Sequence, residues 1–258
     1  MIREYFRPKS IKEALQILNK PGSIILSGGT YITSEQQEIV NVVDIQELKL
    51  NYIQKNKNQI IIGSCTILQD LITTKYIPDA MRQAVITDSS LNIRNKATVG
   101  GYIVTATGIS TLSTVLLSME ATVQFTEGVN DLIYTEFITE LLLKDGRTLI
   151  TAIKIPLVDT VFKSISSTPT SRSIICASLS TRKSGRTRLA LGGFGNNPLL
   201  VFDGSMDDDI VSAAKSAYQQ AGDEWASSDY RSEMAAILTK RCIVEMRSNL
   251  QKNTQLDE

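Results

Sequence analysis

The chain has 258 residues, 42% of them hydrophobic and 21% charged, which suits one large or two modest folded domains with a substantial core. Lys plus Arg and Asp plus Glu each number 27, so the net charge is zero and the balance lacks the basic excess of a general nucleic-acid or anionic-membrane binder. Histidine does not occur and the three cysteines lie far apart, which excludes a Ser-His-Asp triad, a Cys-His pair, a His-ligated metal or haem, and an all-cysteine iron–sulfur cluster built from this chain alone.

Ser10 and Glu13 form a capping-box pattern, and Ile11, Ala14, Leu15 and Leu18 recur at helical spacing, predicting a helix from about Ser10 to Asn19. Lys20-Pro21-Gly22 ends it. A short apolar strand, Ile24-Ile25-Leu26, runs directly into Ser27-Gly28-Gly29-Thr30, and Val40–Ile45 reads as a second buried strand. Asn56-Lys57-Asn58 marks a hairpin or a subdomain joint. Gln59–Gly63 reads as a strand, and Thr66–Thr73 and Asp79–Asp88 as helices. A second glycine pair closes Ala97-Thr98-Val99-Gly100-Gly101. Thr111–Met119 is a predicted helix, Thr122–Phe125 a strand, and Leu149–Ile155 a strand stopped by Pro156. In the last third, Ile174–Thr181 and Arg186–Phe194 alternate as an antiparallel hairpin turning at Lys183-Ser184-Gly185, followed by amphipathic helices over Asp207–Ala221 and Ser228–Asn249. The polar tail Gln251–Glu258 is the one stretch whose composition suits disorder. Soft boundaries fall near 55 and 160, and the irregular mixture of strands and helices predicts an α+β fold. Met1-Ile2-Arg3-Glu4-Tyr5 has no apolar signal core, and no apolar run reaches the ~18–20 residues of a spanning helix. With scattered cysteines in addition, a soluble cytoplasmic protein without a membrane span is expected.

Two loops carry the chemical signal: Leu26-Ser27-Gly28-Gly29-Thr30-Tyr31-Ile32-Thr33 and Thr98-Val99-Gly100-Gly101-Tyr102. Adjacent glycines permit positive φ and close ligand approach, and successive backbone N–H groups converge on an anion as a nest. Two such loops, with hydroxyls from Thr30 and Thr98, can hold a diphosphate without a lysine or arginine. Taken singly, each also satisfies the needs of a plain turn. Neither has the GxGxxG spacing of a Rossmann fingerprint or the Lys-Ser/Thr ending of a P-loop.

In order along almost the whole chain, the sequence resembles the FAD-binding, or medium, subunit of the molybdenum hydroxylases, the family of xanthine dehydrogenase, carbon monoxide dehydrogenase and nicotinate dehydrogenase. Tyr5-Phe6-Arg7-Pro8-Lys9-Ser10 with Ala14-Leu15 and Leu18 resembles its opening, F-x-x-P-x-S-x-x-E-A-x-x-x-L. Ile25–Thr30 is similar to the first FAD loop, A-G-G-T-D, and Ile62–Thr66 with Leu71 to I-G-A-x-T-x-x-x-x-L. The most specific block is Ile93-Arg94-Asn95 through Thr98-Val99-Gly100-Gly101, against I-R-N-x-A-T-I-G-G-N. Leu149–Pro156 resembles the strand closing the FAD domain, and Ser228-Asp229-Tyr230-Arg231 the YR motif of the C-terminal domain.

The resemblance implies two α+β FAD-binding subdomains of the vanillyl-alcohol oxidase/PCMH type, over 1–55 and 56–160. A C-terminal domain of a three-stranded antiparallel sheet plus helices, over 161–258, would follow. It implies that both glycine loops grip the FAD diphosphate and that Ile150 and Lys163 approach the flavin end, although a lone surface lysine is the competing account of Lys163. Thr111 stands where relatives carry an aspartate that contacts FAD, Tyr31 where they carry Asp, and Tyr102 where they carry Asn. The implied function is electron relay from iron–sulfur clusters through FAD to an external acceptor, with no catalytic acid or base in this chain. The molybdenum cofactor and 2Fe-2S clusters would sit on a molybdenum subunit and an iron–sulfur subunit of a hetero-oligomer. Two alternatives stand beside it. One is a scaffold subunit that keeps the fold without flavin, motivated by Tyr31, Tyr102 and Thr111. The other is a stand-alone oxidase of the vanillyl-alcohol type, which a short chain without histidine fits poorly. Arg182, Lys183, Arg186 and Arg188 mark either a solvated turn or a partner contact, and Tyr218 and Trp225 read as helix packing.

Overall fold

The computed structural model describes residues 2–31, 41–126, 133–137, 149–168, 171–206 and 209–256. Ile32 and Thr33 of the first glycine loop lie outside them, as do positions 207 and 208 of the first C-terminal helix expected from the sequence. The chain divides into two compact units. The first comprises Met1–Lys75, Leu91–Thr105 and Ala121–Pro156, and the second Tyr76–Ser90, Ala106–Glu120 and Leu157–Glu258.

The first unit holds two sheets. In the smaller, β1 (Glu4–Phe6), β3 (Asn41–Asp44) and β2 (Ser23–Leu26) lie parallel in the order β1-β3-β2. Parallel strands need a crossover, and α1 (Ile11–Leu18) connects β1 to β2, which flank β3. Ser10 caps α1 by accepting from Glu13 N, and the Glu13 carboxylate reaches back to Lys9 N at 2.8 Å, one residue earlier than a standard capping box. The helix buries Ala14 and Leu15 against Val43, Ile45, Leu50, Cys65 and Leu149. The larger sheet is antiparallel, in the order β4 (Ile53–Lys55), β5 (Gln59–Gly63), β8 (Leu149–Pro156), β6 (Thr122–Thr126), β7 (Ile133–Phe137). Asn56–Asn58 is the turn of the β4–β5 hairpin, closed by Asn56 N on Gln59 O. Three short helices complete the unit: α2 (Leu68–Thr73), α4 (Leu91–Arg94) and α5 (Val99–Val104).

The second unit packs α3 (Asp79–Asp88), α6 (Thr111–Ser118), α7 (Asp209–Ala217) and α8 (Ser228–Leu256) on an antiparallel sheet. The order is β12 (Leu199–Ser205), β11 (Arg186–Gly192), β10 (Ser173–Thr181), β9 (Asp159–Ser166). The sheet therefore has four strands where three were expected, because Asp159–Ser166 pairs along nearly all of β10. The α8 helix also runs on through Leu256, past the point where the polar tail was expected to leave it.

β10 shows why its alternation is not a buried-versus-wet pattern. Ile175, Ala177 and Leu179 join the core formed with α7 and α8. The opposite set faces α6: Ser118 Oγ lies 2.7 Å from Ser178 Oγ and 2.9 Å from Ser180 Oγ, and Cys176 Sγ 3.7 Å from Thr114 Oγ1. Both faces are buried, one apolar and one lined by hydroxyls that satisfy each other. The hairpin after β10 turns at Gly185, φ +87°, whose N–H reaches Arg182 O at 2.8 Å.

The basic hairpin carries its own counter-ions. Arg182, Arg186 and Arg188 converge on Glu120 and Asp203: Arg186 Nε to Asp203 Oδ1 at 2.6 Å, Arg188 to Asp203 Oδ2 at 2.8 Å, and Arg182 on Glu120. The Arg186 guanidinium holds the Asp203 carboxyl below the usual carboxylate range. Tyr218 packs as expected, fully buried in the second unit's core. Trp225 does not. It is 53% exposed beside α8 and carries Arg172 over its ring, 4.1 Å from the centroid. The short 222–227 connection has no helical face to bury an indole.

Cys65, Cys176 and Cys242 are free and buried, and burial pushes the latter two thiols up to about 12. They remain neutral, inert core groups. Among the described residues no helix is long and apolar enough to cross a membrane, and no cluster of metal-ligating side chains forms.

Candidate functional site

The first glycine loop leaves the sheet at the carboxyl end of β2, beside the ends of its parallel partners. Crevices at the carboxyl ends of parallel strands are where open α/β layers bind ligands. Asp44 closes the end of β3. Its carboxylate accepts from Tyr5 Oη at 2.5 Å and Gln46 N at 2.9 Å, and pairs with Arg7 Nε at 3.2 Å. That hydrogen bond to Asp44 is also what raises the Tyr5 phenol. Gln46 Nε2 donates to Ser27 O at 3.4 Å, so the turn that follows β3 reaches the first residue after β2. Ser27 Oγ in turn reaches Cys65 Sγ at 3.6 Å.

Beyond Ser27 the main chain is open. The amides of Gly28, Gly29, Thr30 and Tyr31 donate to no acceptor among the described residues. Gly29 has φ +72°, the left-handed turn that swings successive amides toward one side. Tyr31 is 65% exposed, so its ring does not fill the loop.

Gly28 fixes where the loop sits. A Cβ there would lie 2.1 Å from Lys96 O and 3.1 Å from Ala97 Cα, so only glycine lets β2's exit rest on the segment leading into the second glycine pair. Gly28 thus rests on Lys96 and Ala97, immediately before the second glycine segment, within the first unit.

The second segment is built differently from the expectation. Thr98–Tyr102 is not a loop: Thr98 is the N-cap of α5, and Gly100 and Gly101 are helical. Its amides are consumed. Val99 N donates to Thr66 O at 2.9 Å, Gly100 N to Ser64 O at 2.9 Å, Gly101 N to Thr98 Oγ1 at 3.4 Å, and Tyr102 N to Thr98 O at 2.8 Å. A nest needs amides without partners, so the second pair cannot act as one in this conformation. Its glycines serve contact instead: a Cβ at Gly100 would lie 2.7 Å from Ser64 Cβ. The surrounding block is fastened in the same way, with Leu68 N on Ala97 O at 2.9 Å and Arg94 Nε on Gln69 Oε1 at 3.2 Å.

The remaining expected residues are placed as follows. Ile150 is 4% exposed, inside β8 of the first unit. Thr111 and Lys163 belong to the second unit. The Thr111 hydroxyl is fully buried and donates to Ala84 O at 2.7 Å. Lys163 Nζ is paired with Glu245 at 2.5 Å, so it is not a lone lysine. Sequence reasoning missed the residues that hold the loop from behind, namely Asp44, Gln46 and the Lys96 carbonyl. The last of these is a backbone group that no side-chain pattern announces.

The residues present fit an FAD diphosphate at one loop: open amides, a left-handed glycine, and a glycine packed too tightly for any side chain. Residues 1–158 match the family described as "FAD binding domain in molybdopterin dehydrogenase". The chain is 25% identical over 214 residues to protein YgfM of Escherichia coli K12, covering 79% of each chain. It is 25% identical over 273 residues to the glyceraldehyde dehydrogenase medium chain of Sulfolobus acidocaldarius, covering 94% of this chain and 97% of that one. A chain of the reconstituted CO dehydrogenase from Oligotropha carboxidovorans superposes with a TM-score of 0.83 at 19% identity, covering 96% of this chain and 98% of that one, which shows a shared α+β fold. With its first 158 residues matched, the chain belongs to the FAD-binding, medium-subunit family of the molybdenum hydroxylases.

Proposed function

We propose that this chain is the electron-relay subunit of a molybdenum hydroxylase-like hetero-oligomer, passing electrons from iron–sulfur clusters on a partner subunit through FAD to an external acceptor. A molybdenum-cofactor subunit would carry substrate hydroxylation. The observation that supports this most directly is the run of four amides, Gly28 to Tyr31, that have no partner among the described residues, at the carboxyl end of a parallel strand. Bound FAD supplies reversible electron storage; the protein binds and orients it. Residues 26–31 hold the diphosphate through the main chain, while Thr98–Tyr102 shapes the floor by packing. Ile150 lines the same unit's sheet, and Thr111 and Lys163, each committed to a neighbour, carry none of the proposal. Residues 1–55 and 56–160 would be the two FAD-binding subdomains and 161–258 the C-terminal domain. A cytoplasmic setting is supported by three free thiols.

A scaffold subunit without flavin is the second reading. It is favoured by the closed amides of α5 and the buried Thr111 hydroxyl. Purification with native partners separates the two. A yellow complex that releases FAD on denaturation supports the relay. A colourless complex that contains iron–sulfur and molybdenum subunits, and takes up no added FAD, establishes the scaffold.

A further inference from the structure

A doubly anionic diphosphate at a loop of amides receives only partial positive charge from the main chain. Several described cations of the first unit are engaged. Lys20 lies over the Phe6 ring at 4.7 Å, Arg7 is paired with Asp44 and Glu47, and Arg94 is bonded to Gln69. Lys96 is different. Its carbonyl is the group on which Gly28 rests, and its amide is pinned to Ile93 O at 2.9 Å. Its exposed side chain has no ion pair or hydrogen bond among the described residues. The backbone is therefore fixed directly against the loop while the ammonium is free on a four-carbon stem.

We infer that Lys96 supplies the full positive charge for this site, its ammonium pairing with the cofactor diphosphate held on the Gly28–Tyr31 amides. The inference rests on FAD being the ligand of that loop. It makes Lys96 a determinant of affinity for diphosphate-bearing ligands, FAD and ADP, over riboflavin, which has no phosphate. An ammonium at a solvent-open site acts as a screened point charge, so its effect belongs to low ionic strength.

The test is equilibrium binding of FAD, ADP and riboflavin to the full chain, wild type against Lys96→Gln and Lys96→Arg, at ionic strengths of about 0.02 and about 0.5 M. Lys57→Gln, on the exposed β4–β5 turn, serves as the control. Lys96→Gln should weaken FAD and ADP about five- to tenfold at low salt, flatten their salt dependence, and leave riboflavin unchanged. Lys96→Arg should restore most of the loss. Equal FAD affinity and equal salt dependence in wild type and Lys96→Gln would overturn the role of Lys96 and leave flavin binding standing. So would the same loss from Lys57→Gln. A wild-type chain that binds neither FAD nor ADP overturns both the inference and the reading beneath it. Unchanged thermal unfolding of Lys96→Gln ties any loss to charge.

Discussion

Gly28-Gly29 and Gly100-Gly101 are the same dipeptide beside a threonine, and they do opposite work. The first leaves its amides and the two that follow without partners among the described residues, and its missing side chain makes room for the main chain of Lys96 and Ala97. The second gives both its amides away, Gly100 N to Ser64 O and Gly101 N to Thr98 Oγ1, within a helix. A glycine pair therefore reports that a backbone comes close to something. Whether its N–H groups face a ligand depends on which carbonyls the rest of the fold brings within reach.

The sharpest way to break this comparison is Gly28→Ala. Its methyl would meet Lys96 O at 2.1 Å, and since both groups are main chain, one segment must move. The variant should lose about 3 kcal/mol in chemical denaturation and should not retain FAD. FAD binding at wild-type affinity would show that the loop's position against Lys96 is not what makes the site. Next in size is Gly100→Ala. Its methyl meets Ser64 Cβ at 2.7 Å, while alanine gains about 1 kcal/mol of helix propensity, for a net loss of about 1–2 kcal/mol. Because the Gly100 amide is already on Ser64 O, the folded variant should bind FAD within about threefold of wild type, read by flavin fluorescence. Loss of binding without loss of stability would mean that α5 unwinds to offer its amides.

These two residues also show what was legible beforehand. The regular elements followed from periodicity: α1 with its Ser10 cap, β5 over Gln59–Gly63 and α3 over Asp79–Asp88 all lie where the apolar pattern put them. The first loop was legible because a strand ran straight into two glycines. The second was misread because Thr98-Val99-Gly100-Gly101 has low helix propensity. Its helix is set by a cap and by carbonyls of Thr66 and Ser64, more than thirty residues away in sequence. Non-local carbonyl acceptors have no side-chain signature. Trp225 departs from the expected helix packing for a related reason: its cation–π partner, Arg172, lies just before β10, more than fifty residues away in sequence.

Gly29→Ala sharpens the contrast within the first pair. Its methyl would lie 3.4 Å from Leu26 Cδ1, an ordinary contact, so the cost is the φ of +72° alone. A left-handed alanine costs about 1–2 kcal/mol, and the stiffer unfolded chain offsets about 0.4–1, leaving a net loss of about 1 kcal/mol. A loss as large as that of Gly28→Ala would mean that the turn, rather than the contact with Lys96, holds the loop.

Gly101→Ala is the smallest change and the most telling. Its methyl approaches Thr98 Oγ1 at 3.1 Å, and a hydroxyl rotor yields a few tenths of an ångström more readily than a carbonyl. The helix gains about 1 kcal/mol of propensity, and a slightly weakened cap returns part of it. Stability should therefore stay within about 0.5 kcal/mol of wild type, checked by the denaturation midpoint, with FAD affinity unmoved. If Gly101→Ala instead behaved like Gly28→Ala, its hydrogen would have to face the ligand, and the second pair would belong to the diphosphate site after all. A neutral result leaves Gly101 as a glycine that α5 tolerates, with the work of the second pair resting on Gly100 and its contact with Ser64.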